Sequence, residues 1–258
     1  MFPPVPAEAL VIVSDAHLGY APRETEGALL DFLDRVPDLG DSLLVNGDLF
    51  EFWFAYRRVI PRDGFRVAAA LGRLARHLPV AVVGGNHDRW GAPFWTDELG
   101  ITFQPAELEL TVGGRRVLAL HGDAVSDASH ARPLHRLVHW PATSAVYQLL
   151  HPDLGVPLVR WLADRWGDHG TDGTRLDRGA AAQERWARAR LDGDPSLGLV
   201  VMGHTHRPAL VHAGPGRQYL NPGAWFDGFR YAVATVSGAE LCRFSPSAPL
   251  PRPPTALR

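Results

Sequence analysis

The chain has 258 residues, 46% of them hydrophobic and 21% charged, with a formal net charge of -2, which suits one large core and excludes a disordered tail or a small stapled domain. All 26 basic residues are arginine, so chemistry that needs a Schiff-base, pyridoxal-phosphate or P-loop lysine is excluded. The single cysteine, Cys242, leaves no internal disulfide and no thiolate zinc knuckle.

Taken in chain order, residues Met1 to Pro6 lack the basic segment and sustained apolar run of a signal peptide, and no stretch approaches the roughly 20 apolar residues that span a bilayer. The expected location is the cytosol. Five short apolar runs then recur, each ending in Gly, Asp, Asn or His. Leu10 to Val13 precedes Ser14-Asp15, Leu43 to Val45 precedes Asn46-Gly47-Asp48, and Val80 to Val83 precedes Gly84-Gly85-Asn86-His87-Asp88. Val117 to Leu120 precedes His121-Gly122-Asp123, and Leu199 to Met202 precedes Gly203-His204-Thr205-His206. Continuous apolar runs of this length predict strands buried on both faces, and polar residues at their C-terminal ends predict a site on the sheet rim.

Between the strands, Leu29, Phe32, Leu33 and Val36 follow one helical face, as do Val67, Ala68, Leu71, Leu74, Ala75 and Leu78. Strand and helix alternate, which predicts an α/β fold with a layered core. Glu107 to Leu120 reads as a hairpin turning at Gly113-Gly114. Runs around Ala209 to Val211, Gln218 to Leu220, Tyr231 to Val236 and Leu241 to Phe244 suggest a second sheet. The whole chain, 1–258, reads as one domain interrupted by a helical insertion at 125–195, which carries Trp140, Trp161, Trp166 and Trp186, and followed by a loose tail at 246–258.

Of twelve histidines, His17, His87, His121, His204 and His206 sit at strand ends beside Asp or Gly, together with Asp15, Asp48, Asn86, Asp88 and Asp123. Asp15-Ala16-His17 and His204-Thr205-His206 each place two ligand-type side chains two residues apart, so both can point the same way from an extended segment. Imidazole with carboxylate suits Mn, Fe, Zn or Co, and the lack of thiolates argues against a structural zinc site. A shared carboxylate would let two ions approach to about 3.5–4 Å, the separation that binds a phosphoryl group and activates water.

The ordered set Asp-x-His, Gly-Asp, Gly-Asn-His-Asp, His-Gly-Asp and Gly-His-Thr-His, from about Val11 to Gly223, resembles the calcineurin-like metallophosphoesterases. The resemblance implies a four-layer αββα sandwich with an inserted helical lid. It implies that Asp15, His17 and His206 hold one metal, that Asn86, His121 and His204 hold the other, and that Asp48 bridges. It further implies an activated water attacking phosphorus in line, with His87 stabilising charge or protonating the leaving oxygen and Asp88 orienting its ring. Asp123 is expected to shape its loop.

Within that superfamily, the Gly47 to Phe54 run, the tract from Leu150 to Trp166 and the insertion resemble UDP-2,3-diacylglucosamine hydrolases, although His87 stands where the proteobacterial members carry Arg. The resemblance implies cleavage of a lipid-linked nucleotide diphosphate to UMP and a lipid monophosphate in lipid A biosynthesis, two divalent ions with manganese the leading choice, and peripheral contact at the inner face of a membrane. Arg57 and Arg58 are candidate diphosphate contacts, since guanidinium binds phosphate bidentately, and Trp140, Trp161 and Trp166 are candidate acyl-chain contacts. The tryptophans can equally build the insertion's own core. A soluble phosphodiesterase or phosphomonoesterase acting on a nucleotide or small phosphoester, and a non-catalytic scaffold of the same fold, stand as alternatives. A nucleic-acid partner is not expected, because no basic stripe with interleaved aromatics is present.

Overall fold

The five apolar runs fold as strands covered on both faces. The computed structural model describes residues 6–56, 58–91, 93–126, 147, 151–155, 157–158, 161 and 173–246. In the first sheet, β2 (Ala9–Val13), β3 (Ser42–Asn46), β4 (Val80–Val83) and β5 (Thr102–Gln104) run parallel, with Val11 opposite Leu43 and Leu43 opposite Val80. Antiparallel β11 (Arg230–Thr235) and β12 (Gly238–Arg243) extend it beyond β2. The second sheet orders as β1 (Pro6–Ala7), β6 (Glu107–Val112), β7 (Arg115–Leu120), β8 (Leu197–Val201), β10 (Gln218–Asn221) and β9 (Ala209–His212). Its centre, β7-β8-β10, is parallel, and the hairpin expected over 107–120 is the β6-β7 pair.

Alternation of side chains along these strands sorts the core into three layers. Val11, Val13, Leu43, Val45, Val80 and Val82 face outward from the first sheet and meet α1 (Arg23–Leu39) and α2 (Phe65–Leu74). Their neighbours Leu10, Ile12, Leu44, Ala81 and Val83 face inward against Leu110, Val117, Ala119, Leu199 and Val201 of the second sheet. Leu118, Leu120, Val200, Met202 and Tyr219 face away from the first sheet and are covered by α4 (Gly173–Gly193) through Ala187 and Leu191. The result is the αββα sandwich. Every residue of β3 is buried; Leu44→Asp would set an unpaired carboxylate between the sheets and break the fold.

α1 shows why one sequence face becomes a layer. Ala28, Leu29, Phe32, Leu33 and Val36 recur at helical spacing and are buried, and Phe32 packs at 4.9 Å from Trp225 and 5.0 Å from Tyr231. Glu24 and Glu26 lie in its first turn, where the helix dipole favours negative charge.

Within the expected insertion at 125–195, the last part is α4, whose buried stripe Gly179, Gln183, Ala187 and Leu191 forms the outer layer of the second sheet. A short helix, α3 (Asp123–Ser126), opens the segment. Of the rest, Tyr147 packs at 4.6 Å from Phe54 and 6.0 Å from Phe52, and Leu154, Leu158 and Trp161 are exposed. Arg57, Trp140, Trp166 and the tail beyond residue 246 lie outside the described residues. No described helix is long and apolar enough to cross a membrane.

Candidate metal centre

Parallel strands end at the same rim of a sheet, so β2, β3, β4, β7 and β8 deliver their following loops to one place. The loop after β2 is zipped to the loop after β3: the N–H groups of Asp15, His17 and Leu18 donate to the carbonyls of Gly47, Asp48 and Leu49, all at 3.0 Å. The turns are tight. Asp15, His17, Asp48, His204 and His206 all adopt positive φ, between 45° and 66°, and Phe229 is the one other non-glycine residue to do so among the described residues. A Cβ on Gly85 would collide with the Asp48 carboxylate, and one on Gly47 with the His121 ring. Glycine at these two positions lets the β3, β4 and β7 loops close over one carboxylate.

Three groups of side chains converge, each with its ligand atoms within 4.8 Å of one another: Asp15 with His17 and His206, His17 with Asp48 and His87, and Asp48 with His121 and His204. Asp48 belongs to two of them. Its Oδ2 lies 3.0 Å from His121 Nε2 and 3.8 Å from His17 Nε2, while Oδ1 accepts the His87 backbone N–H at 3.0 Å. His206 Nε2 lies 3.5 Å from Asp15 Oδ1 and 3.3 Å from His17 Nε2. Asn86 Oδ1 and His204 Nδ1 are 2.9 Å apart. All seven ligands expected from sequence are therefore brought together.

Hydrogen bonds on the far side of the rings set which nitrogen faces the cluster. His121 Nδ1 donates to the Asn46 carbonyl at 3.0 Å, which leaves Nε2 turned to Asp48 with no hydrogen-bond partner although it is buried. His17 Nδ1 meets Glu51 Oε2 at 2.8 Å, which leaves Nε2 facing His206. A buried imidazole nitrogen that meets a carboxylate without a hydrogen bond, and two ring nitrogens facing each other, are what a divalent cation would satisfy, so the residues present fit such ions.

Charges inside the cluster are strongly coupled. Burial alone would raise both central carboxyls, but His206 and His121 hold Asp15 below its ordinary value, and His121, His87 and His17 hold Asp48 well below. Burial opposes charge on His121, yet the Asp48 and Asp15 carboxylates lift it to about 10. Burial and the neighbouring His121 charge push His204 down to about 4, so that ring is neutral and ready to ligate. His87, 30% exposed in its side chain, is raised: burial works against its charge, and Asp48 and Glu51 outweigh it.

One expectation about a neighbouring residue needs revision. Asp88 does not orient the His87 ring: its Oδ1 accepts the Gly85 N–H at 2.8 Å, and its Oδ2 accepts the N–H groups of Leu49 at 2.7 Å and Phe50 at 3.4 Å. Both oxygens are spent on backbone, so Asp88 ties the β4 loop to the β3 loop. The His87 ring is held instead by the Glu51 carbonyl, which accepts from Nδ1 at 2.8 Å. Glu51 was not singled out in the sequence, yet it positions His17 through its carboxylate and His87 through its carbonyl. Its place three residues after Asp48 is the only signal that could have found it. Asp123 pairs with Arg89 at 2.6 Å, joining the β7 and β4 loops, and Phe226 stands edge-on to His206 at 5.0 Å and His17 at 5.6 Å. Arg58 and Trp161 are exposed.

A family model for calcineurin-like phosphoesterases matches residues 9–208. Curated relatives that the chain matches carry the name UDP-2,3-diacylglucosamine hydrolase. The one from Porphyromonas gingivalis is 25% identical over 243 residues, 87% of this chain and 93% of its own. The one from Yersinia enterocolitica is 27% identical over 244 residues, 91% of this chain and 98% of its own. The one from Sodalis glossinidius is 30% identical over 246 residues, 91% and 98% of the two chains.

Proposed function

This chain belongs to the calcineurin-like phosphoesterase family, and from that premise we propose that it hydrolyses the pyrophosphate bond of UDP-2,3-diacylglucosamine, releasing UMP and a lipid monophosphate. It is a metal-dependent hydrolase by family and by its cluster of ligand side chains. The observation that carries the reading is the buried Asp48 carboxylate shared by two convergent groups, within a chain whose named relatives align over almost their whole length.

In this reading Asp15, His17 and His206 would hold one divalent ion and Asn86, His121 and His204 a second, with Asp48 available to both sets. Bound ions supply Lewis-acid neutralisation of phosphoryl oxygens and lower the pKa of water to make the nucleophile; manganese is the leading choice, with Fe, Zn and Co sharing the same ligand chemistry. The chain's own work is to fix these groups and exclude disorder. His87 presents Nε2 because Glu51 takes Nδ1–H, and its raised proton affinity suits it to meet phosphoryl charge or to give a proton to the departing oxygen. Asp88 keeps that loop closed.

The acyl chains are assigned to the insertion between α3 and α4. Leu154, Leu158 and Trp161, spaced four and three residues apart, expose 69%, 46% and 54% of their surface, an apolar stripe of the kind that covers lipid. Trp140 and Trp166 are proposed as further acyl contacts, and Arg57 and Arg58 as diphosphate contacts. Reaction at the cytosolic face of a membrane, with peripheral contact through the insertion, follows from such a substrate.

The test is turnover by Mn-loaded protein on UDP-2,3-diacylglucosamine, UDP-glucose and bis(p-nitrophenyl) phosphate in parallel. Preference for the acylated nucleotide by orders of magnitude is expected. Comparable rates on the generic diester with none on the lipid would refute the substrate and leave a phosphodiesterase of another small phosphoester.

A further inference from the structure

Among the buried polar residues outside the ligand set, Gln183 has the most consequential surroundings. It lies on α4, is 0% exposed, and belongs to a stripe with Gly179, Ala187 and Leu191 that seats the helix on the second sheet. An apolar residue would continue that stripe. Instead the amide group is fully engaged. Its Nε2 donates to the Gly203 carbonyl at 3.0 Å and the Gly122 carbonyl at 3.3 Å. Its Oε1 accepts from the hydroxyls of Tyr219 at 3.0 Å and Thr205 at 3.3 Å, and from Asn221 Nδ2 at 3.3 Å.

Those partners are not scattered. Gly122 follows His121, Gly203 precedes His204, and Thr205 separates His204 from His206. Asn221 reinforces the same loop, reaching the Gly203 carbonyl at 3.0 Å and Thr205 Oγ1 at 3.1 Å. Both histidines of that loop sit in the left-handed region, at φ 66° and 56°, where an L residue stays only if its surroundings over-determine it. The contact with Gly122, itself at φ +97°, is so close that a Cβ there would strike the Gln183 amide.

We propose that Gln183 is a positioning residue for the metal centre: one buried amide on the outer helix fixes the β7 loop and the β8 loop relative to each other, and so sets the distance between His121 and His204. The inference rests on the two-ion reading given above. Groups that orient ligands without touching the ion typically change its affinity by about 10–100-fold when removed, and here the effect falls first on the ion shared by His121 and His204, because both of its imidazoles hang from loops that Gln183 clamps.

The experiment is Mn2+ titration by calorimetry, with metal content measured after dialysis, on wild type, Gln183→Leu and Leu191→Ala. Wild type is expected to take up two ions. Gln183→Leu should weaken one of them by about 10–100-fold and the other less, with kcat restored toward wild type as Mn2+ is raised. Leu191→Ala removes packing from the same helix without touching either loop, and should lower Tm while leaving both affinities within about threefold. Unchanged Mn2+ affinity in Gln183→Leu, or an equal loss in Leu191→Ala, would overturn the inference. Should Gln183→Leu fail to fold, Thr205→Val decides, since it deletes only the hydroxyl between Gln183 and the ligand loop: a weakening in the same direction supports the role, and none overturns it. A wild-type chain that takes up no Mn2+ would instead overturn the two-ion reading, and this inference with it.

Discussion

Asp48→Ala removes the one carboxylate common to both groups of ligands, and its effects can be worked out separately for the chelated and the metal-loaded protein. Without metal, the variant strands the His87 backbone N–H and takes from His121 the charge 3.0 Å away that keeps its ring protonated. Removing one member of a buried pair costs about 3–5 kcal/mol. His121 can shed its proton, so the lower end applies, and about 3 kcal/mol corresponds to a Tm roughly 6–12 °C lower for a chain of this size. With metal, a unit-charge pair at about 4 Å is worth about 4 kcal/mol at an effective dielectric of 20, or about three decades of affinity. Thermal melts in EDTA read the first effect. Turnover of bis(p-nitrophenyl) phosphate at stoichiometric Mn2+ reads the second and should fall by at least about 10³-fold. A variant with near wild-type turnover would refute the assignment of Asp48 as the shared ligand.

His87→Gln should lower kcat by about 10²–10⁴-fold with Mn2+ stoichiometry unchanged; loss of an ion instead would make His87 a ligand. Glu51→Gln keeps the size of the side chain but weakens its hold on His17 Nδ1, and should reduce Mn2+ affinity by about 10–100-fold, read by calorimetry; unchanged affinity would mean that His17 is oriented by other contacts. In chelated protein His121 binds its proton up to about pH 10, against 6.5 ordinarily. That contribution to stability is complete below about pH 6.5 and disappears as the pH rises through 10. Tm in EDTA should therefore fall between pH 7 and pH 10, and His121→Ala should flatten that slope.

The fold was legible where burial is two-sided. β8 carries no polar side chain and β3 is apolar from Leu43 to Val45 because one face meets the other sheet and the second meets helices, and that leaves a pattern no surface strand shows. The ligands were legible for a related reason: each follows directly from such a strand. β1 and β5, with two and three residues, carry too little pattern to be read. Glu51 and Gln183 were hidden because their work is done across the chain, 34 residues from His17 and 61 from Gly122; nothing local distinguishes a glutamate in an aromatic loop or a glutamine in a polar helix. Asp88 misled for the opposite reason. It adjoins His87 in sequence, whereas its oxygens turn away to the amides of Gly85, Leu49 and Phe50.

The five left-handed residues around the cluster have a consequence for how this protein could be changed. A non-glycine residue in that region costs on the order of 1–3 kcal/mol, so five together approach the 5–15 kcal/mol by which a domain is stable at all. At 15 and 48 glycine would also strand the backbone amides those carboxylates hold, but at 17, 204 or 206 it would relax the backbone and erase a side chain the chemistry uses. Directed evolution of this chain for heat resistance alone, with no activity in the screen, would therefore drift toward glycine at those last three positions and recover a sturdier, inert sandwich.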